Sequence, residues 1–216
     1  MNQETLKEKI ILGLKFLKKK SLNLASEGNI SIRTTGGFYI SPSAISPEKI
    51  KSKDIVFIDY KDSIEGSSKP SSEWKMHSLI YKEKDNINAI VHSHSIWASS
   101  LSCLRKKIPP FHYMVAELGG DDIPCAKYAL FGSDEIARNV LTSLKNRKGC
   151  LMENHGQITI GKSIEEAISL CESIEKLSKQ YSICRMLGNY KLLNNEEMSE
   201  VILSLIHISE PTRRYS

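Results

Sequence analysis

Long hydrophobic runs are missing from this 216-residue chain. No apolar stretch approaches the roughly 20 residues that a bilayer-spanning helix needs. The first ten residues, MNQETLKEKI, carry charge where a secretory signal would need an apolar core. Cysteine is sparse. Cys103, Cys125, Cys150, Cys171 and Cys184 are scattered and form no CxxC pair, so no disulfide and no cysteine-held metal is expected. Each reads as a small buried apolar residue. Together these absences predict a cytoplasmic protein without a membrane partner. Aromatic residues make up 7% of the chain and are not interleaved with basic ones, which argues against nucleic acid as a partner. Internal repeats and low-complexity linkers are absent from the sequence as well.

What is present is an ordinary globular composition, 40% hydrophobic and 25% charged, at a length that suits one domain with a real core. The net charge of +5 mildly favours anionic ligands. The lysines are dispersed, apart from Lys18 to Lys20 at the solvated end of a first predicted helix. In that helix Leu6, Ile10, Leu14 and Leu17 have amphipathic spacing. NISIRT, GFYIS, DIVFIDY and INAIVHSH read as strands. SEWKMHSLIYKEK (Ser72 to Lys84), SIWASSLSCLR and GSDEIARNVLTSLKN read as helices, the last stopped near Gly149. CLMENHGQITIG reads as a strand pair or one bent strand. Ser163 with Glu166 makes a capping box for a long helix ending near Gly188, and Asn194 with Glu197 opens a short last helix. Many neighbouring strands have hairpin-length connections. The expected fold is therefore α/β, a single layered domain with a central, mostly antiparallel sheet flanked by helices.

Two of the six histidines, His92 and His94, stand one residue apart behind an apolar run. On a strand they share a face. There they can serve a metal ion, or be polar residues where strand meets loop. Three ligands of the His and carboxylate kind plus an open position would make a catalytic zinc site. His155, beside a glycine in ENHGQI, could supply the third nitrogen. Glu73, in the first turn of its predicted helix, could hold the open position at rest. It could also do no more than complement that helix N-terminus. His77, one turn further on, reads as half-buried and not a ligand, and His112 and His207 have no identifiable partner.

Three short pieces, SEGNIS (Ser26 to Ser31), SPSAIS (Ser41 to Ser46) and KPSSEW (Lys69 to Trp74), set small polar residues beside Gly, Pro or Ala. Singly they are turns or caps. Next to a metal, their hydroxyls and backbone N–H groups suggest an anion cradle for a phosphorylated substrate.

The ordered set GNISIR, DIVFID, PSSEWKMH, IVHSH, IPPFHYM, GGDDIPCAKYALFG and LKNRKG resembles the class II aldolase/adducin family over nearly the whole chain. The resemblance implies one Zn2+ per subunit on His92, His94 and His155, with Glu73 as resting fourth ligand and catalytic acid/base. It implies phosphate contacts from Ser26, Asn29, Ser43, Ser71 and Ser72 and from the backbone of Ala44, where the family pattern usually has Gly. It further implies a homotetramer with active sites between subunits, Tyr113 reaching a neighbour's site as proton donor, and Phe131 lining an aldehyde pocket. The implied reaction splits L-fuculose 1-phosphate, or a close ketose 1-phosphate, into dihydroxyacetone phosphate and L-lactaldehyde. No Schiff-base lysine is required. The alternatives are a pentulose-5-phosphate 4-epimerase, whose pattern typically has Asp where Glu73 stands, and a methylthioribulose-1-phosphate dehydratase, typically with Glu where Tyr113 stands. Glu117 keeps the dehydratase in view. The non-catalytic adducin branch lacks the full ligand set and is disfavoured.

The resemblance stops at LSLIHISEPTR, Leu203 to Arg213. No match for the family's second, C-terminal tyrosine is found there, and Tyr215 is not assumed to replace it. The string matches the translation of a common transposase library adapter. The expected division is thus a catalytic domain over 1–202 and a non-native tail over 203–216.

Overall fold

The computed structural model describes residues 2–209. Eight strands form one sheet: β1 (Asn29–Thr34), β2 (Gly37–Ile40), β3 (Val56–Asp59), β4 (Ile64–Glu65), β5 (Ala89–Ser93), β6 (Cys125–Ala126), β7 (Gly149–Met152) and β8 (Gly156–Gly161). Their order is β4-β3-β2-β1-β5-β8-β7-β6. Every pairing is antiparallel except β6 with β7. Helices α1 (Gln3–Lys19), α2 (Trp74–Glu83), α3 (Ile96–Ser102), α4 (Asp134–Ser143), α5 (Ile164–Leu187) and α6 (Asn195–Ser209) complete the layered α/β fold that the sequence predicts. Among the described residues no helix is long and apolar enough to cross a membrane.

Strand alternation sorts the core onto the two faces of the sheet. Phe38, Ile40, Ile58 and Ile90 pack with Met76 and Ile80 of α2 and Ile136 and Val140 of α4. Ile30, Ile32, Tyr39, Ala89 and Val91 pack on the opposite face with Leu6, Ile10, Leu14 and Leu17 of α1 and Ala167 and Cys171 of α5. The same alternation continues past Ile90, so His92 falls on the α2 face while Ser93 turns to Cys171, its Oγ 3.2 Å from Sγ. In register, His92 stands opposite Asn29 of β1 and Ile158 of β8. This register brings the candidate histidine and asparagine side by side.

Local signals place several helix ends. Asn2 caps α1, its side chain accepting from Thr5 N at 2.8 Å. Asn194 and Glu197 form a reciprocal box, with Glu197 N to Asn194 Oδ1 at 3.0 Å and Asn194 N to Glu197 Oε2 at 2.7 Å. At α5 the box is broken: Ser163 Oγ accepts from Glu166 N, but the Glu166 carboxylate takes the N–H of Lys162. Gly188 ends α5 at φ 75°. Three expectations change. Gly149 does not stop α4, which ends at Ser143; it opens β7, where a Cβ would meet Ile174 Cδ1 at 2.8 Å. α6 is 15 residues long, not short. Only Cys150 and Cys171 are buried, and all five cysteines are free thiols, with Cys103 exposed. The predicted change of character after Ile202 falls inside α6, and residues 210–216 lie outside those described.

Arg33 locks β1 to the C-terminal end of α2. Its guanidinium donates to the backbone oxygens of Tyr81 (2.8 Å), Lys84 (2.7 Å) and Ile87 (2.6 Å) and to Tyr60 Oη (2.8 Å). A rigid fork matches this set and an ammonium does not. Arg33→Ala leaves carbonyls of the last turn unpaired and is expected to cost about 2–3 kcal/mol, read as a lower denaturation midpoint, with Arg33→Lys recovering little.

Candidate active site

The end of β5, the start of β8 and three loops enclose a cleft of about 530 Å³. Its walls include Ser26, Asn29, Ser43, Ala44, Ser71, Ser72, Glu73, His94, Phe131 and His155. Ten of the residues singled out in the sequence therefore meet in one place. His92 lies beneath them, wholly buried. Tyr113 does not line the cleft of its own chain; it starts a 3-10 turn (Tyr113–Leu118), is 52% exposed and stacks on His112.

Four donors converge at the cleft floor. Glu73 Oε2 lies 3.0 Å from His92 Nε2, and Oε1 lies 3.2 Å from His155 Nε2. His92 Nε2 and His94 Nε2 are 2.9 Å apart. One ligand atom from each residue fits within 4.8 Å of all the others. His92 Nδ1 donates to the Gln157 carbonyl at 2.8 Å, which fixes the ring and turns Nε2 toward its partners. Glu73 Oε1 is buried without a hydrogen bond. Three imidazoles and a carboxylate with an unsatisfied oxygen are a donor set for a divalent metal ion, and the residues fit one.

The electrostatics agree. Burial alone would push the Glu73 carboxyl up, but the three histidines, His92 foremost, together hold it well below the usual carboxylate range. Burial and the neighbouring imidazoles pull His94 down to about 3 and His155 to about 4, so both are neutral at pH 7. His92 goes the other way: burial lowers it, but the Glu73 charge, the Glu73 hydrogen bond and the Gln157 carbonyl together outweigh that and raise it.

Glu73 occupies the N-cap position of α2, not its first turn, and its side chain does not cap the helix. The carboxylate is committed to the cleft, so the alternative of a simple helix-end charge is set aside. Ser71 and Ser72 precede it in a turn. The two serine loops are zipped together: Ser71 N donates to Ser41 O at 3.0 Å and Ser43 N to Lys69 O at 2.9 Å. Ala44 sits at φ 58°, a left-handed conformation that costs an L-residue about 1 kcal/mol. Ala44→Gly is therefore expected to raise stability by up to about 1 kcal/mol and to leave turnover within a factor of about two; thermal melts and initial rates check it.

Several participants were not singled out in the sequence. Gly28 (φ 66°) lets the loop pass close; a Cβ there would stand 2.6 Å from His92 O and 2.3 Å from Asn23 Nδ2. Asn23 Oδ1 accepts from His94 N at 2.9 Å. Tyr128 and Ala129 join Phe131 along the rim. His77, expected to be half-buried, is fully buried, with Nε2 2.6 Å from Asn29 Oδ1. Asn29 itself gives Nδ2 to Glu73 Oε2 at 2.9 Å, which leaves one N–H for a ligand. The only available signal was the polar alternation of NISIR.

Comparison with known proteins bears on this geometry. The family model for the class II aldolase and adducin N-terminal domain matches residues 8–182. The chain is 40% identical over 181 residues to a 5-methylthioribulose-1-phosphate/5-deoxyribulose-1-phosphate aldolase of Rhodospirillum rubrum, covering 84% of this chain and 82% of that protein. It is 38% identical over 207 residues to an L-fuculose phosphate aldolase of Haemophilus influenzae, covering 96% of each. Among solved structures an L-fuculose 1-phosphate aldolase superimposes with a TM-score of 0.90 at 33% identity, over 94% of this chain and 96% of that one.

Proposed function

The chain belongs to the class II aldolase and adducin family and is a metal-dependent aldolase, and from that premise we propose that it cleaves a ketose 1-phosphate, with L-fuculose 1-phosphate the first candidate, on one Zn2+ per subunit. The observation that carries this reading is the meeting of Glu73, His92, His94 and His155 within 4.8 Å at the floor of a serine-walled cleft. When bound, zinc would supply a Lewis acid that stabilises the negative charge left by carbon–carbon cleavage by several kcal/mol.

The protein's own groups would do the rest. Ser26, Ser43, Ser71 and Ser72, the second N–H of Asn29 and the backbone of Ala44 would hold the phosphate and fix the ketose in register. Glu73 would move the proton at C3. Tyr113 would exchange a proton with the aldehyde oxygen. Its exposure and its place outside its own cleft suit a reach into a neighbouring subunit of a homotetramer. Phe131 would line the aldehyde side together with Tyr128. A cytoplasmic location belongs to the same reading, supported by five free thiols. So does a non-native segment from Leu203 onward, supported by its match to an adapter translation.

A second substrate has support of its own. The Rhodospirillum relative is named for 5-methylthioribulose 1-phosphate and 5-deoxyribulose 1-phosphate. All these ketoses would give dihydroxyacetone phosphate and differ only in the aldehyde. Against the dehydratase reading, Glu117 is engaged within its own chain, accepting from Ser173 Oγ of α5 at 2.9 Å. A panel of ketose 1-phosphates, assayed for dihydroxyacetone phosphate with zinc-loaded protein carrying either the present tail or a natural one, tests the reading. Release from L-fuculose 1-phosphate at the highest kcat/KM is expected. Preference for 5-deoxyribulose 1-phosphate would establish the second substrate, and loss of water or inversion without cleavage would refute both.

A further inference from the structure

β1 lays a polar stripe along α2. Asn29 and Ser31 share the α2 face of the strand with Arg33, and a single buried hydrogen-bond chain runs through them. Glu73 Oε2 takes Asn29 Nδ2 at 2.9 Å, and Asn29 Oδ1 lies 2.6 Å from His77 Nε2. His77 Nδ1 lies 2.6 Å from Ser31 Oγ, which lies 2.9 Å from Tyr81 Oη.

The donor and acceptor roles follow from the end of the chain. An ionised carboxylate only accepts, so Asn29 presents its amide N–H to Glu73. The Asn29 carbonyl then faces His77, which donates from Nε2. A neutral imidazole has one N–H, so Nδ1 accepts and the Ser31 hydroxyl donates to it. The Ser31 oxygen in turn takes the Tyr81 hydroxyl. Every donor points toward Glu73, and links aligned this way polarise one another. His77 and Ser31 are 0% exposed and Tyr81 1%, so water does not compete. Burial first, and the nearby His92 second, pull His77 down to about 3, which keeps the ring neutral.

The two oxygens of Glu73 are thereby unlike. Oε2 is held by Asn29 and lies 3.0 Å from His92 Nε2. Oε1 is buried and accepts no hydrogen bond from an amide, and lies 3.2 Å from His155 Nε2. We propose that His77 is a positioning residue for the cleavage reaction: acting through Asn29, it anchors Glu73 Oε2 and reserves Oε1 as the atom that moves the C3 proton. This rests on the role of Glu73 in the aldolase reading above.

His77→Leu breaks the chain and is expected to lower kcat about 30-fold with KM within about twofold and zinc content unchanged, as for a group felt only in the transition state. His77→Gln, whose amide can donate to Asn29 and accept from Ser31, is expected to recover most of the rate. Folded His77→Leu with wild-type kcat, or a loss expressed in KM alone, overturns the proposal. A second measurement needs neither metal nor turnover. A long-range 1H–15N correlation of the metal-free wild-type protein at pH 7, with the His77 signals assigned from His77→Gln, is expected to show the neutral Nε2–H tautomer. An Nδ1–H tautomer or a doubly protonated ring overturns the direction of the chain. Absence of turnover by wild-type enzyme on every ketose 1-phosphate would overturn the aldolase reading and with it the catalytic half of this one, while the tautomer would still decide the chain.

Discussion

Glu73→Gln is expected to keep the metal and release dihydroxyacetone phosphate about 10³-fold more slowly, within the range that a positioned acid/base contributes. Three imidazoles remain available, since the His92 ring is fixed by the Gln157 carbonyl and the backbone N–H groups of His94 and His155 are held by Asn23 Oδ1 and Ser102 Oγ. An amide fills the space of the carboxylate but does not take a proton. The comparison to make is metal stoichiometry beside single-turnover rate. A variant with wild-type turnover would remove Glu73 from the chemistry. A variant that loses the metal as well would mean that the carboxylate is needed to hold the ion, not only to move a proton.

Removing the metal is the second large effect. Uncompensated, the site packs a carboxylate against three imidazoles, with two Nε2 atoms 2.9 Å apart. An ion present at a thousand times its dissociation constant stabilises the fold by about 4 kcal/mol, so chelation at pH 7 is expected to lower Tm by roughly 10 °C in a chain of this size. That increment should shrink in acid, because protons compete for the imidazoles. The chelated protein has its own pH dependence, in which His94 and His155, pulled to about 3 and about 4, act with the same sign as His77. The pKa of His77 is pulled from 6.5 to about 3 in the folded state, so the unfolded chain binds the extra proton between those values. The stability it contributes is complete above pH 6.5 and is lost as the pH falls toward 3. Calorimetry from pH 7.5 to 4.5, with and without metal, checks both slopes. A metal increment that is flat with pH would count against histidine ligation.

The larger periodic elements were legible in sequence for simple reasons. The apolar spacing of α1 survives because one face of that helix packs on the sheet, and the alternation of GFYIS and INAIVHSH survives because each strand divides its residues between two cores. His92 and His94 could be paired from sequence because that alternation carries past Ile90 to the cleft. Other features were hidden by reasoning that is sound on average. Polar alternation in NISIR normally marks a solvated face; here the polar face is buried on α2 and satisfied by it. Gly149 looked like a helix stop and is a packing glycine under Ile174. The short strands β4 and β6 have two residues each, too few for any period. Glu73 breaks the local rule that a cap serves its own helix, and that breach is itself a mark of function.

Zinc titration of the metal-free protein, read simultaneously as metal bound and as dihydroxyacetone phosphate released from L-fuculose 1-phosphate, tests the central claim most directly. The account predicts release that rises in proportion to bound zinc and levels off at one ion per subunit. Full occupancy at one ion with no release from this or any other ketose 1-phosphate, or equal release before any zinc is added, would contradict it.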